Sequence, residues 1–406
     1  MRHLIFFIIP LLLVQPGCST DNQKTETDLK IIDVAGGVGK SRLINISDIA
    51  DSVEYVPLET NPESILTPLH RIFYEKGTVY YPQNNGNIQI FDSKGKYVQT
   101  FNRCGRGPEE YEQLEYIDIN NVNGNICIVT FKRILEYTKN GVFIKTIAFP
   151  DEESFKRYTV LPFKNLCEFY ILAKSSMYLH SIYSAFVIDT LSKIRIKIDT
   201  PRDQLDLLKD RKDNLQAMDT YLFKFKDKIR VVSGNNEAIL SIDHNLSVDT
   251  AYIINYGKYN IVNAGSEKIT PESPYLWRKS KFFESNNYLF MEIHVGSLPG
   301  KPMTMINLSG KEWNIPISYS FFNKNTGEFT FLDQPEINQM GFADDIEGGP
   351  AIWPKYVSSD NYMISYIPAE VFIAYAESHK VTEKFKTIAA GLKETDNPVL
   401  VKVKLK

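Results

Sequence analysis

Residues 88–101 read IQIFDSKGKYVQTF and residues 134–147 read ILEYTKNGVFIKTI. Set one over the other at an offset of 46, they match at Ile88 and Ile134, at Gly95 and Gly141, and at Thr100 and Thr146, and most other core positions pair apolar with apolar. Each copy is preceded, 11 and 10 residues earlier, by the start of a Gly-led apolar stretch, Gly77-Thr-Val-Tyr-Tyr and Gly124-Asn-Ile-Cys-Ile. One unit therefore holds several short strands joined by tight turns, and a period of roughly 40 to 50 residues with that content marks a propeller blade.

Working outward, the landmark Asp92 becomes Thr138 in the second copy and recurs as Asp189, Asp243 and Asn323, at spacings of 46, 51, 54 and 80 residues. Asx and Thr side chains suit a strand-to-turn corner because they hydrogen-bond the turn backbone. The last spacing is long, which predicts an insertion in the fifth blade around 296–304. Residues 340–406 supply a sixth set of strands, at 351–357, 362–367 and 399–405. The alternation of Val399, Val401, Val403 and Leu405 with Lys402, Lys404 and Lys406 predicts a half-buried closing strand. The alternating segment from Asp51 to Leu58 belongs to no complete unit and is expected to finish the last blade and close the ring. Helices are expected at 369–378 after Pro368 and at 383–392, as an insertion in that blade, and over 201–218 between blades three and four. The fold class is thus all-β, a six-bladed propeller over residues 44–406.

Residues 1–17 carry Arg2 and His3, then an apolar run from Leu4 to Val14, too short to span a bilayer as a helix, and read as a signal peptide. Gln15-Pro16-Gly17-Cys18 resembles the lipobox of bacterial lipoproteins, with Cys18 as the lipidated residue. A polar stretch without aliphatic side chains follows, so residues 18–43 are assigned as a lipidated tether, with folding expected to begin near Leu29. The other cysteines, 104, 127 and 167, show no CxxC spacing and suggest neither a disulfide framework nor a zinc site. With 46 Lys and Arg against 49 Asp and Glu the formal charge is −3, which gives no footprint for nucleic acid. A monomer tied to the membrane by lipid alone is expected.

Phe101-Asn-Arg-Cys-Gly-Arg-Gly-Pro-Glu-Glu-Tyr resembles the linker of NHL-type propellers. With the lipobox, Asp344-Asp345-Ile-Glu-Gly-Gly-Pro-Ala-Ile-Trp-Pro and the terminal Asn397-Pro-Val-Leu-Val-Lys-Val-Lys-Leu, the chain resembles the six-bladed β-propeller lipoproteins of Bacteroides-type bacteria. That resemblance implies the fold and an envelope location, with outer-membrane anchoring. It carries no activity or catalytic residues.

Catalytic signatures are missing from the text of the sequence. Gly36-Gly-Val-Gly-Lys-Ser fails as a phosphate loop because Val34 stands where the first Gly is required. There is no His-x-His, His-Glu-x-x-His or Gly-x-Ser-x-Gly. Candidate ligand-binding residues are Arg103 and Arg106, whose guanidinium forks match a carboxylate or sulfate. Asp344, Asp345 and Glu347 suit sugar hydroxyls or Ca²⁺, with no cofactor otherwise expected. Trp353, between two prolines, suits stacking on a sugar ring. Against these stand internal pairing of the arginines, a solvated acidic turn and a core tryptophan. Two functions remain open: a module binding a glycan or an envelope partner protein, or a carbohydrate-active enzyme, lyase or glycoside hydrolase, on the central face. Blades one and six are neighbours in a closed ring, so both residue groups are expected on one face.

Overall fold

The computed structural model describes residues 29–406 except 68–70, 115, 131–132, 151–162, 167, 174–182, 202–219, 235–236, 265–269, 271, 299–302 and 308. Six antiparallel sheets, each built from four propeller strands, follow one another in the chain, and blade four gains a fifth strand at its outer edge. The inner strands are Phe73–Glu75, Tyr116–Ile119, Phe163–Leu166, Thr220–Phe225, Trp277–Glu284 and Tyr356–Val357. Six apolar clusters hold the ring, one at each junction between neighbouring blades, including the junction of blade six with blade one. Because every blade is packed on both faces, strands such as Ile126–Thr130 are buried throughout rather than on alternate residues.

Each of the five landmark residues ends the third strand of its blade and accepts from the following turn. Asp92 Oδ1 takes the amides of Lys94 and Lys96, Asp189 those of Leu191 and Lys193, and Asp243 those of Asn245 and Ser247. Thr138 Oγ1 takes the amide of Val142, and Asn323 Oδ1 those of Asn325 and Thr326. Gly95 sits in such a turn at φ 80°, where a Cβ would come within 2.2 Å of the Pro57 carbonyl of the neighbouring blade. Only glycine meets both demands.

The ring closes as expected. Ala50–Pro57 pairs antiparallel with Val399–Leu405, with Val53 opposite Val403 and Tyr55 opposite Val401, and forms the outer strand of blade six. Helices Ala369–Ser378 and Glu383–Ala390 lie between the second and third strands of that blade. Phe372 and Phe385 stack at 3.9 Å, and Tyr55 meets both edge-on, so the insertion is bolted to the closing strand. Thr382 Oγ1 caps the second helix at the Phe385 amide.

Four expectations change. The first strand of blade six is only Tyr356–Val357. The closing strand is covered on both faces, since Leu400 packs against blade one and Lys402, 7% exposed, reaches Glu54 at 2.9 Å. The tether ends well before residue 43: Lys30–Asp33 pairs in parallel with Val248–Asn255 of blade four. Arg42 then bridges to Leu332 of blade five and Asn45 to Ala343 before the closing strand begins. Last, the insertion in blade five extends beyond 304 as a hairpin, Met303–Ile306 with Glu312–Ile315. Its inner edge is held by two side-chain amides acting as a surrogate strand. Gln334 exchanges bonds with the Thr304 backbone at 2.9 and 2.8 Å, and Asn338 with that of Ile306 at 2.6 and 3.0 Å. The helix expected over 201–218 falls, apart from Pro201, outside the described residues. Among those residues no helix is long and apolar enough to cross a membrane.

The two ends of the ring differ in kind. First-to-second and third-to-fourth strand turns lie at one, the turn end. Second-to-third turns and the links between blades lie at the other, the linker end.

Candidate binding site along the propeller axis

Both groups of residues singled out in the sequence lie in linkers between blades, 102–115 and 332–355, but each closes on partners of its own. Arg103 donates from Nε and Nη2 to the Gly141 carbonyl at 3.1 and 2.9 Å, so its fork clamps the turn of blade two. Arg106 is almost fully exposed, 3.9 Å from Glu112. Cys104, between them, lies 3.7 Å from the Asn85 carbonyl.

Asp344 is buried, accepts from Tyr55 Oη at 2.7 Å and takes the amides of Ile346, Glu347 and Gly349. Asp345 receives the amide and hydroxyl of Ser47, and Glu347 receives Thr382 Oγ1 and Lys384 Nζ. The acidic turn is thus a knot joining the amino-terminal segment, the closing strand and the helices. Trp353 is core, 4% exposed, stacked on Tyr319 at 4.3 Å with Nε1 donating to Glu292 at 3.3 Å. It offers no face to a sugar. Among the described residues no group of three or more His, Cys, Asp or Glu side chains gathers to hold a metal. Cys18 lies outside the described residues.

Charge gathers instead along the axis, one or two residues from each inner strand. Near the turn end Asp118 of blade two is shared by Lys164 of blade three at 3.1 Å and Lys224 of blade four at 2.6 Å. Burial disfavours ionisation of Asp118, but the two ammonium groups overcome it and hold the carboxyl below its usual range. Burial lowers the Lys164 pKa, Lys224 lowers it further, and Asp118 opposes both. Glu75 of blade one accepts from Tyr356 and Ser359 of blade six, and burial lifts its pKa. Glu284 of blade five is clamped by Arg230, Tyr252 and Lys324. Glu75, Lys224 and Glu284 line a small recess at the turn end, together with Asn121, Asn286 and Ser358.

Toward the linker end the balance becomes positive. A register shift between Arg278 and Phe282 bulges the inner strand of blade five and carries Lys281 to 3.7 Å from Glu292. Lys355 opens the inner strand of blade six and forms no salt bridge among the described residues. Its pKa is lowered by burial first and by Lys281 second, so the two ammonium groups face one field. Arg71 precedes the inner strand of blade one, lies 4.9 Å over the Tyr116 ring, and its charge is felt by Lys164 and Tyr221 across the axis. Among the described residues Lys281 and Lys355, from adjacent blades, act on the carboxylate of Glu292, whose pKa burial raises, and Arg71 of the next blade adds a third cation toward this end. Such a rim attracts an anionic group.

The family model for DUF4934, a domain of unknown function, matches residues 29–404. The chain belongs to the DUF4934 family. The match begins at the residue where the described fold begins, so the amino-terminal segment that crosses blades four and five is part of the DUF4934 domain. A presumed exported protein of Bacteroides fragilis NCTC 9343 is similar in structure, with TM-score 0.64 and 14% identity, over 93% of this chain and 99% of that one. A DUF4221-family protein of Bacteroides vulgatus ATCC 8482 gives TM-score 0.47 at 11% identity, over 88% and 97%. At 14% identity the likeness to the Bacteroides fragilis protein speaks of fold alone. No curated protein matches the chain.

Sequence reasoning missed the axial residues Arg71, Lys281 and Lys355. The signal was available in blade phase: each is a cation in, or within two residues of, the strand that opens a unit.

Proposed function

We propose that this DUF4934 protein is an envelope-anchored binding module, tied to the outer membrane by lipid on Cys18, that holds an acidic glycan at the linker-end mouth of its axis. The observation that carries the reading is the gathering of Arg71, Lys281 and Lys355, from three adjacent blades, toward the linker end of the axis. Lysine and arginine side chains hold uronate or sulfate oxygens by charge-assisted hydrogen bonds. A lyase or hydrolase reading is not favoured, since Asp344, Asp345 and Glu347 are engaged by internal donors. A second reading, an envelope partner protein, draws on the projecting hairpin with exposed Trp313.

Titration of the protein with uronate-bearing, sulfated and neutral polysaccharides tests the proposal. Acidic chains should bind and neutral ones should not, and Lys281→Gln with Lys355→Gln should weaken binding at least tenfold at unchanged melting temperature. Equal affinity for neutral chains, or an indifferent double variant, would refute it.

A further inference from the structure

We infer that the turn end of blades one to three is a docking surface for an anionic lipid bilayer, so that the linker-end mouth points away from the membrane. The inference does not depend on the glycan reading.

Three observations meet there. The third-to-fourth strand turns carry Lys94 and Lys96 in blade one, Lys139 in blade two and Lys193 in blade three, all exposed. None of these ammonium groups has an acceptor among the described residues. The acids of the same turns are turned inward, Asp92 and Asp189 onto their own backbone amides.

Each of these three blades also exposes an aliphatic side chain within three residues of a turn lysine: Val98 at 56% exposure, Val142 at 60% and Leu191 at 73%. Single exposed apolar residues are ordinary, but an arc repeated in three successive blades, each within three residues of a cation, is the pattern of an interfacial surface. Blade four breaks it, since its third-to-fourth strand turn, 243–248, carries no lysine, which confines contact to one side of the ring.

The chain also enters the fold toward the turn end, at the outer edge of blades four and five. Lys30–Asp33 runs parallel to the outer strand of blade four, which starts at the turn end. Lys30 Nζ accordingly donates to the Lys324 carbonyl in the turn of blade five, at 3.0 Å. From Cys18 to Leu29 is 11 residues, which reach at most roughly 40 Å when fully extended. An anchor at Cys18 would therefore hold this end near the bilayer, but the lysine and aliphatic arc predicts affinity without it.

The test uses full-length Cys18→Ser protein, which carries no lipid, floated with vesicles of phosphatidylcholine containing phosphatidylglycerol. It should bind these and not pure phosphatidylcholine, and added salt should weaken binding. Replacing Lys94, Lys96 and Lys139 together by Gln should weaken partitioning about a hundredfold. Val98→Ser with Val142→Ser should cost about tenfold, while Lys393→Gln at the linker end should leave binding unchanged. Melting temperatures of all variants confirm that each is folded. No flotation with phosphatidylglycerol, an indifferent lysine triple, or an equal effect of Lys393→Gln would overturn the inference, and none of these results bears on glycan titration at Lys281 and Lys355.

Discussion

Glu284 joins blades four and five through one carboxylate: Arg230 and Tyr252 reach it from blade four and Lys324 from its own blade, at 2.7–3.2 Å. Burial alone would raise its pKa, but the Arg230 bonds and the Lys324 charge outweigh burial and hold it below the usual 4.5. A carboxylate lowered on folding contributes stability that is complete above its unfolded value and is lost as pH falls through the folded one. Lys324 works in the other direction. Burial brings its pKa down from 10.5 to about 8, so the unfolded chain binds more protons between those values and stability rises with pH through that window. We predict that Glu284→Gln lowers stability by about 3 kcal/mol at pH 7, by leaving buried cations without a counter-charge. The deficit should shrink as pH falls below 4.5, read as melting temperature against pH by calorimetry. A deficit constant from pH 7 to 3 would mean that the carboxylate's charge is not what matters.

At the scale of elements, the closing strand Ala50–Pro57 should be indispensable. It covers Val399–Leu405, brings Tyr55 to Asp344 and to the Phe372–Phe385 stack, and seals the junction of blades five and six. Without residues 44–60 we expect loss of the single cooperative transition in urea, followed by aggregation through the bare edge of the third strand. A transition with unchanged slope and midpoint would contradict that role. This strand, the landmark corners and the helical insertion were readable because their signals are local: an Asp four residues before a turn amide, a two-residue alternation, a Pro before a helix. The proposed binding rim was not. Its three cations, Arg71, Lys281 and Lys355, are separated by 74 to 284 residues, and no spacing in the text marks them as neighbours. Trp353 misled for a related reason, since its flanking prolines suggest a surface loop, whereas Phe290 and Tyr319 of blade five enclose it.

For the whole molecule, the proposed anchor makes a direct prediction. Cys18→Ser should move the protein from the membrane pellet to the soluble fraction when cells are lysed in high salt, which suppresses the weaker electrostatic contact of the turn end. Persistence of the variant in the pellet under those conditions would remove lipidation from the account. The two ends of the ring, one rich in turn lysines and aliphatic residues, the other opening on Arg71, Lys281 and Lys355, then have separate tasks that can be lost one at a time.

Closure of the ring also sets the timing of its birth. The first long strand of the fold, Ala50–Pro57, finds its partner only in Val399–Leu405, at the far end of the polypeptide. At synthesis rates of roughly 5–20 residues per second, that strand must wait on the order of 20 to 70 s after leaving the ribosome. Through that interval the outer strand of blade six stands without the other three strands of its blade, and the face of blade five that packs against them has no cover. A chain that is unable to finish folding before its last residues emerge stays threadable, which is the condition a translocation channel requires, and it is also the interval in which a holdase would find most to grip.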